Sequence, residues 1–188
     1  MSKKLIEEAQ RIRKVADYLL YEDGLFDFLK KYGKIQIVGA YDTDLMMHGD
    51  IDLYVVNKNL DREKSLEAFY KLLKGANYRG YLFFDHVNYR TKDIYPHGYC
   101  IGLRKDVEGE KYNFDIWFLR ERLSDKEKYH QDIKGRLNEK NREIILMLKK
   151  YRKDKGFDIP GVVIYEAVLD NKVESVSEFK KYLKRINQ

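Results

Sequence analysis

The chain has 188 residues, a formal net charge of +6 at pH 7 and a single cysteine. No run approaches the roughly 20 apolar residues that a membrane helix requires, and the first residues lack the apolar stretch of a signal peptide. One cysteine excludes an internal disulfide framework and a zinc site built from cysteines. These features predict a cytoplasmic protein with no membrane partner, and the basic charge is compatible with an anionic partner such as a nucleotide or RNA.

The first two thirds of the chain combine helix-like and strand-like segments. Apolar side chains recur at helical spacing in three segments: 3–21, 25–32 and 61–75. Residues typical of strands are concentrated in five segments: 35–38, 50–56, 78–89, 98–104 and 112–119. Segment 91–97 is predicted to be a loop, and the polar segment 105–111 is predicted to be a hairpin turn.

After residue 119 the pattern is helical. Ser124 opens a capping box, in which a serine and a glutamate satisfy each other's free amides. Helical spacing then continues to residue 155, with a break near Gly135. Segment 162–169 is interpreted as a helix, and a second capping box at Ser175 begins the last helix.

These elements predict an α/β (α+β) fold, with a small mixed β-sheet core flanked by helices and a C-terminal helical extension. The expected division places the core and its N-terminal helices in 1–120. Residues 121–188 would form a helical region packed on that core.

Two carboxylates stand at the start of the strand predicted over 50–56. Successive side chains of a strand alternate between faces, so Asp50 and Asp52 share one face while Ile51 and Leu53 share the other. The two acids are then roughly 6–7 Å apart and repel each other, unless a divalent cation binds between them. The strands predicted over 35–38 and 50–56 are connected by a loop that begins with Gly39-Ala40 and has a turn at Gly49.

A third carboxylate, Asp115, lies in the middle of the apolar segment 112–119. An unpaired buried carboxylate is costly, so this acid needs a partner. If its strand lies beside the strand of Asp50 and Asp52, three acids converge and form a metal site. The alternative is three solvent-facing acids at strand ends. Trp117 shares the face of Asp115 and is interpreted either as a stacking surface for a base or as core packing.

Together, Gly39-Ala40, Asp50-Ile51-Asp52 and the distant Asp115 resemble the nucleotidyltransferase superfamily typified by DNA polymerase beta. The resemblance covers about residues 35–119, and it implies a minimal nucleotidyltransferase core. It also implies catalytic and metal-binding roles for Asp50, Asp52 and Asp115, with two Mg²⁺ or Mn²⁺ ions. The nucleotide-binding residues implied are Gly39, Ala40 and Tyr41. Segment 144–169 loosely resembles the helical segment after the third acid in template-independent nucleotidyltransferases, where a lysine can reach the triphosphate, and this implies a nucleotide-binding role for Lys149.

This sequence departs from the family pattern at Ala40, where the family usually has a serine whose hydroxyl contacts the triphosphate. Tyr41 and Thr43 are the candidates to supply a hydroxyl instead. Asp42 and Asp44 would repel phosphate unless they point away. His48, two residues before Asp50, is interpreted more readily as a loop histidine than as a ligand.

The implied reaction moves a nucleoside monophosphate from a nucleoside triphosphate, such as ATP, to an acceptor hydroxyl and releases pyrophosphate. The acceptor is RNA, a small molecule or a protein. The alternative is a catalytically inactive module of the same fold that binds nucleotide or RNA. We also predict that a dense basic group flanks the cleft: Lys149, Lys150, Arg152 and Lys153.

Overall fold

A five-stranded mixed sheet carries the acids, in the strand order β1-β2-β5-β4-β3. The computed structural model describes residues 2–75, 77–89 and 95–186. The strands are β1 Lys34–Val38, β2 Gly49–Val56, β3 Gly80–Asp85, β4 Tyr99–Val107 and β5 Glu110–Leu119. The pairs β1–β2, β4–β5 and β3–β4 are antiparallel, whereas β2 and β5 run parallel at the centre of the sheet.

Helices precede, interrupt and follow this sheet. In the first part of the chain they are α1 Ser2–Asp17, α2 Leu25–Lys30, α3 Gly39–Asp42 and α4 Arg62–Gly75. The C-terminal part contributes α5 Ser124–Arg136, α6 Glu139–Lys155, α7 Gly161–Leu169 and α8 Val176–Ile186. The mixed α/β fold predicted from the sequence is confirmed. None of the described helices is long and apolar enough to span a membrane.

Several element boundaries differ from the prediction. The first helix passes into a π-helical turn at Tyr18–Glu22, and the predicted loop after residue 38 begins with one helical turn, α3. β2 begins at Gly49, so the chain does not turn there. β3 ends at Asp85 because its carboxylate accepts hydrogen bonds from the backbone amides of Val87 and Asn88, which forms a turn.

The hairpin between β4 and β5 is tighter than predicted. Its loop is only Glu108 and Gly109, which both have positive φ and so suit a two-residue hairpin turn. Part of the predicted loop 91–97, namely 91–94, lies outside the described residues. In the C-terminal part, α5 ends at Arg136, and a capping box on Asn138 begins α6. The predicted helix over 162–169 is confirmed as α7.

The two faces of the sheet are covered unequally. Helices α1, α2 and α4 pack on one face and bury the main apolar core, which includes Ile51, Leu53 and Phe114. The opposite face carries the three predicted site acids. Its apolar cluster is small and consists of Val38, Tyr54, Cys100, Trp117 and Leu119. The acid-bearing face is therefore the more open one.

The segment between α3 and β2 joins the sheet to the C-terminal helices. Leu45 is fully buried in the apolar core that α5 to α8 form among themselves, which includes Ile145, Ile164 and Phe179. Met47 packs between α1 and α6, against Ala9 and Leu146. Position 45 therefore ties the chain near the acids to the C-terminal helices, while the division at residue 120 stays a prediction.

Leu45→Ala should lower the free energy of unfolding by about 2–5 kcal/mol, because it leaves a cavity in a core that cannot fully collapse. Leu73→Ala is the matched control. Its side chain is 42% exposed on α4, so the expected loss is within about 0.5 kcal/mol. Urea unfolding of both variants measures this. Equal losses of unfolding free energy in the two variants would mean that Leu45 does not stabilise the contact between the sheet and the C-terminal helices.

Candidate functional site

The parallel pairing of β2 with β5 brings the predicted acids together. Asp52 lies directly opposite Asp115 in the register, and Asp50 lies opposite Asn113. The amide nitrogen Nδ2 of Asn113 donates a hydrogen bond to Oδ1 of Asp50 over 2.8 Å. In each pair, two residues that are 63 positions apart in the chain thus lie side by side on the open face of the sheet.

The pKa of Asp52 depends on burial and on the charges of both other acids. Its pKa is raised to about 7, first because the carboxyl is removed from water and then because the charges of Asp115 and Asp50 disfavour ionisation. The charge of Lys149 opposes this rise. The three carboxylates therefore form one electrostatic unit in which a cation would be stabilising.

Asp115 has a partner that the sequence analysis missed. Arg104 on β4 forms an ion pair with it, Nη1 to Oδ1, over 2.9 Å. Gly102 lies opposite Asp115, and a Cβ added there would come within 3.3 Å of the same Arg104 nitrogen. The absence of a side chain at Gly102 thus leaves room for the guanidinium. The two-residue hairpin, had it been identified, would have placed Arg104 on this face through its register.

The donor chemistry of the site fits a hard divalent cation, since carboxylate oxygens are the ligands that Mg²⁺ prefers. The described part of the chain nevertheless contains no group of three or more acidic, histidine or cysteine side chains arranged to hold a metal ion. Arg104 binds Asp115 and Asn113 binds Asp50, so these contacts would have to yield to a cation. A metal shared by the three acids stays a prediction.

Gly39 lies against the site. Its φ is +72°, a left-handed conformation that favours glycine, and a Cβ added there would overlap the Oδ2 atom of Asp52. Glycine is therefore required twice at this position, for backbone conformation and for space. Ala40 follows it in α3 and is partly exposed.

Tyr41 and Thr43, the two candidates to replace the family serine, both use their hydroxyls in hydrogen bonds within the fold. Tyr41 is buried, its ring lies under the guanidinium of Arg13 at 3.7 Å, and its hydroxyl donates to Asp17 on α1. The structure therefore turns Tyr41 toward α1 and does not bring it to the acids. Thr43 donates its hydroxyl to the carbonyl of Gly39 over 3.1 Å.

Lys149 is placed beside the acids, although it is buried. Its Nζ donates to the carbonyl oxygen of Leu45 and to the hydroxyl of Tyr165, both over 2.7 Å. Burial lowers the pKa of Lys149 to about 7, and the nearby charge of Arg152 acts in the same direction. Asp50 and Asp52 oppose that shift. Tyr165 was missed because only the packing of α7 on α6 reveals its role.

The remaining members of the predicted basic group are also bonded within the fold. Lys150 pairs with Glu8 and Asp154. Lys153 pairs with Glu110 and donates to the carbonyl of Met47, and Arg152 donates to the carbonyl of Ile159. The contacts of Lys150 and Lys153 hold α6 against α1, β5 and the segment before β2. That this basic group flanks a substrate cleft stays a prediction.

The acids of the α3 segment point away from the site. Asp42 accepts from Lys134 on α5 over 2.7 Å, and Asp44 accepts from Arg142 on α6 over 2.7 Å. Their charges are therefore balanced by the C-terminal helices. His48 is different, because its Nε2 is buried without a hydrogen-bond partner. Burial and the charge of Arg152 lower its pKa.

Comparison with known proteins supports the fold. No protein-family model and no curated protein matches the chain. It is similar to a chain of the GLD-2–GLD-3 poly(A) polymerase complex, with a TM-score of 0.51 and 12% identity, over 89% of this chain and 56% of that chain. It is similar, with the same TM-score and identity, to a chain of the GLD-2/RNP-8 complex, of which the match covers 61%.

This chain therefore spans less than two thirds of the length of either structural relative. At 12% identity the likeness concerns the fold alone, and a fold can host different activities. The comparison therefore supports the mixed α/β fold with its additional helices, and a nucleotidyltransferase role stays a proposal.

The raised pKa of Asp52 makes stability depend on pH. Its pKa is about 7 in the folded state and has an ordinary value of 3.8, so the folded state binds the proton more tightly. The penalty of the charged form is absent below 3.8, grows as the pH rises toward 7, and is constant above. Without metal, Asp52→Asn should therefore stabilise the protein most above pH 7.

Urea unfolding of wild type and Asp52→Asn between pH 4 and pH 8 would measure this difference. The stabilisation by the variant should grow with pH by at most about 1.4 kcal/mol per unit. A difference that does not change with pH would show that Asp52 is not a buried acid beside like charges.

Proposed function

We propose that this chain is a metal-dependent nucleotidyltransferase. It would move a nucleoside monophosphate from a nucleoside triphosphate to an acceptor hydroxyl and release pyrophosphate. The observation that carries the proposal is the placement of Asp52 opposite Asp115 on the open face of the sheet, with Gly39 against Asp52. The fold of the structural relatives is compatible with it.

In this proposal Asp50, Asp52 and Asp115 hold two Mg²⁺ or Mn²⁺ ions. When bound, such ions neutralise phosphate charge and stabilise the attacking and leaving oxygens of an in-line displacement. Asp52 then carries its negative charge at neutral pH, because a nearby cation reverses the repulsion that raises its pKa. Asp115 would also favour loss of the proton from the acceptor hydroxyl.

As the acceptor hydroxyl loses its proton to solvent water, its oxygen forms a bond to the α-phosphorus, and the bond from that phosphorus to the oxygen bridging the β-phosphate breaks. Pyrophosphate leaves with the bridging oxygen. Gly39 lets the backbone approach the phosphates closely, since no side chain intervenes. In its protonated form Lys149 has three ammonium protons and uses two of them on Leu45 and Tyr165. We assign the third to a phosphate oxygen.

The second candidate function is a module that binds nucleotide or RNA without turnover. The ion pair of Arg104 with Asp115 favours it, because an arginine then neutralises the acid that a metal would otherwise bind. Ala40, in place of the family serine, favours it too. Both functions predict nucleotide binding, and only the first predicts transfer.

A screen for transfer from labelled nucleoside triphosphates to RNA, small-molecule and protein acceptors tests the proposal. Wild type with Mg²⁺ or Mn²⁺ should label an acceptor, and Asp52→Asn should abolish the label because a charged oxygen ligand is lost. Asp27→Asn is the matched control. Asp27 pairs with Lys30 on α2, which packs on the opposite face of the sheet, so this variant should transfer like wild type.

Triphosphate binding without labelling of any acceptor would favour the binding module. Labelling that persists in Asp52→Asn would contradict the assignment of the active site to Asp50, Asp52 and Asp115.

A further inference from the structure

An exposed apolar strip lies on the same face of the sheet as the acids. Leu82 and Phe84 on β3 are 39% and 47% exposed, whereas the other large apolar side chains of the described strands are more buried. Leu82 pairs with Gly102, which pairs with Asp115. Leu82 therefore belongs to the register row of Asp115 and Asp52, on the open side of the sheet.

Aromatic side chains occupy the neighbouring row. Phe84 pairs with Cys100, which pairs with Trp117, two residues beyond Asp115. The rings of Trp117 and Tyr95 are nearly parallel, with an interplanar angle of 23° and centroids 6.1 Å apart. His86 lies between these rings and Phe84, with its centroid 5.1 Å from Trp117 and 5.9 Å from Phe84. Tyr95, like Phe84, is exposed.

The exposed side chains Leu82, Phe84 and Tyr95, with the largely buried Trp117 packed beside Tyr95, form what we call the aromatic surface. It adjoins Asp52 and Asp115 on the same face of the sheet. Strands in a sheet are about 4.8 Å apart, so Leu82 lies roughly 10 Å from Asp115 at the Cα atoms. Phe84 is two residues farther along β3, so its Cα atom lies roughly 12 Å from the Cα atom of Asp115. A molecule whose hydroxyl reaches the acids can therefore cover these side chains at the same time.

We propose that the aromatic surface binds the acceptor, and that the acceptor is the end of a single-stranded polynucleotide with an unpaired base stacked on Phe84. This rests on the proposed function. Unpaired bases stack on phenylalanine, tyrosine and tryptophan, and such stacking tolerates any base sequence. The net charge of +6 favours a polyanion over a neutral aromatic molecule.

Fluorescence anisotropy of labelled single-stranded RNA and single-stranded DNA of mixed sequence tests this with the full chain. Wild type should bind the single strand more tightly than the matching duplex, because bases in a duplex are already stacked. Phe84→Ala should weaken binding about 5- to 150-fold, and Phe84→Tyr should restore it. Tighter binding of RNA than of DNA would identify the sugar that the acceptor carries.

Tyr70→Ala is the control, because Tyr70 is 55% exposed on α4, on the helix-covered side. It should bind like wild type. Trp117 is the only tryptophan of the chain, so its emission should change when the single strand binds to wild type. Equal affinities of wild type and Phe84→Ala would overturn the proposal, as would the absence of polynucleotide binding.

The binding measurement needs no turnover, so the two proposals can fail separately. If Phe84→Ala loses binding while no transfer is found, the aromatic surface stands as a polynucleotide-binding site, and its role as acceptor site falls with the enzyme proposal. If Phe84→Ala transfers nucleotide to its acceptor with the KM and kcat of wild type, the surface is refuted and the enzyme proposal stands. A peptide that binds the surface in place of a polynucleotide would also overturn the assignment.

Discussion

The central constraint on this molecule is the register of the parallel strands β2 and β5. It places Asp52 directly beside Asp115 and leaves both carboxylates on the open face of the sheet. Burial, and then the charges of Asp115 and Asp50, raise the pKa of Asp52, and two cationic groups lie close to these acids. Arg104 pairs with Asp115, while the buried Lys149 partly offsets the repulsion at Asp52. A site with this balance favours ligands that bring positive charge to the acids.

The C-terminal helices contribute to this balance of charges around Asp52 through a few contacts. Leu45 inserts into their core, and its carbonyl oxygen binds Lys149, so the same residue anchors both packing and charge. Tyr165 holds Lys149 from the other side. Surface ion pairs such as Asp42 with Lys134 add about 0–1 kcal/mol each. The position of Lys149 is thus set mainly by the buried contacts around it.

Local patterns were sufficient to predict the strands, the shared face of Asp50 and Asp52, and a fold of mixed α/β class, because alternation along a strand is a local property. The ion pair of Arg104 with Asp115 depends on the strand order and on a two-residue hairpin turn. The polar segment 105–111 predicted a hairpin but did not show which two residues form its turn. The orientation of Tyr41 was missed for a related reason. It follows from packing against Asp17 on α1, a contact between distant parts of the chain.

Thermal melting with and without divalent cation tests the central claim, that the acids form one cation-binding unit, most directly. The melting temperature of wild type should rise with Mn²⁺ or Mg²⁺, and triphosphate should raise it further only when the cation is present. Asp52→Asn should lose this rise. Arg104→Gln should strengthen it, because the competing guanidinium of the Asp115 pair is gone. No cation-dependent rise in wild type, or an equal rise in Asp52→Asn, would contradict the account.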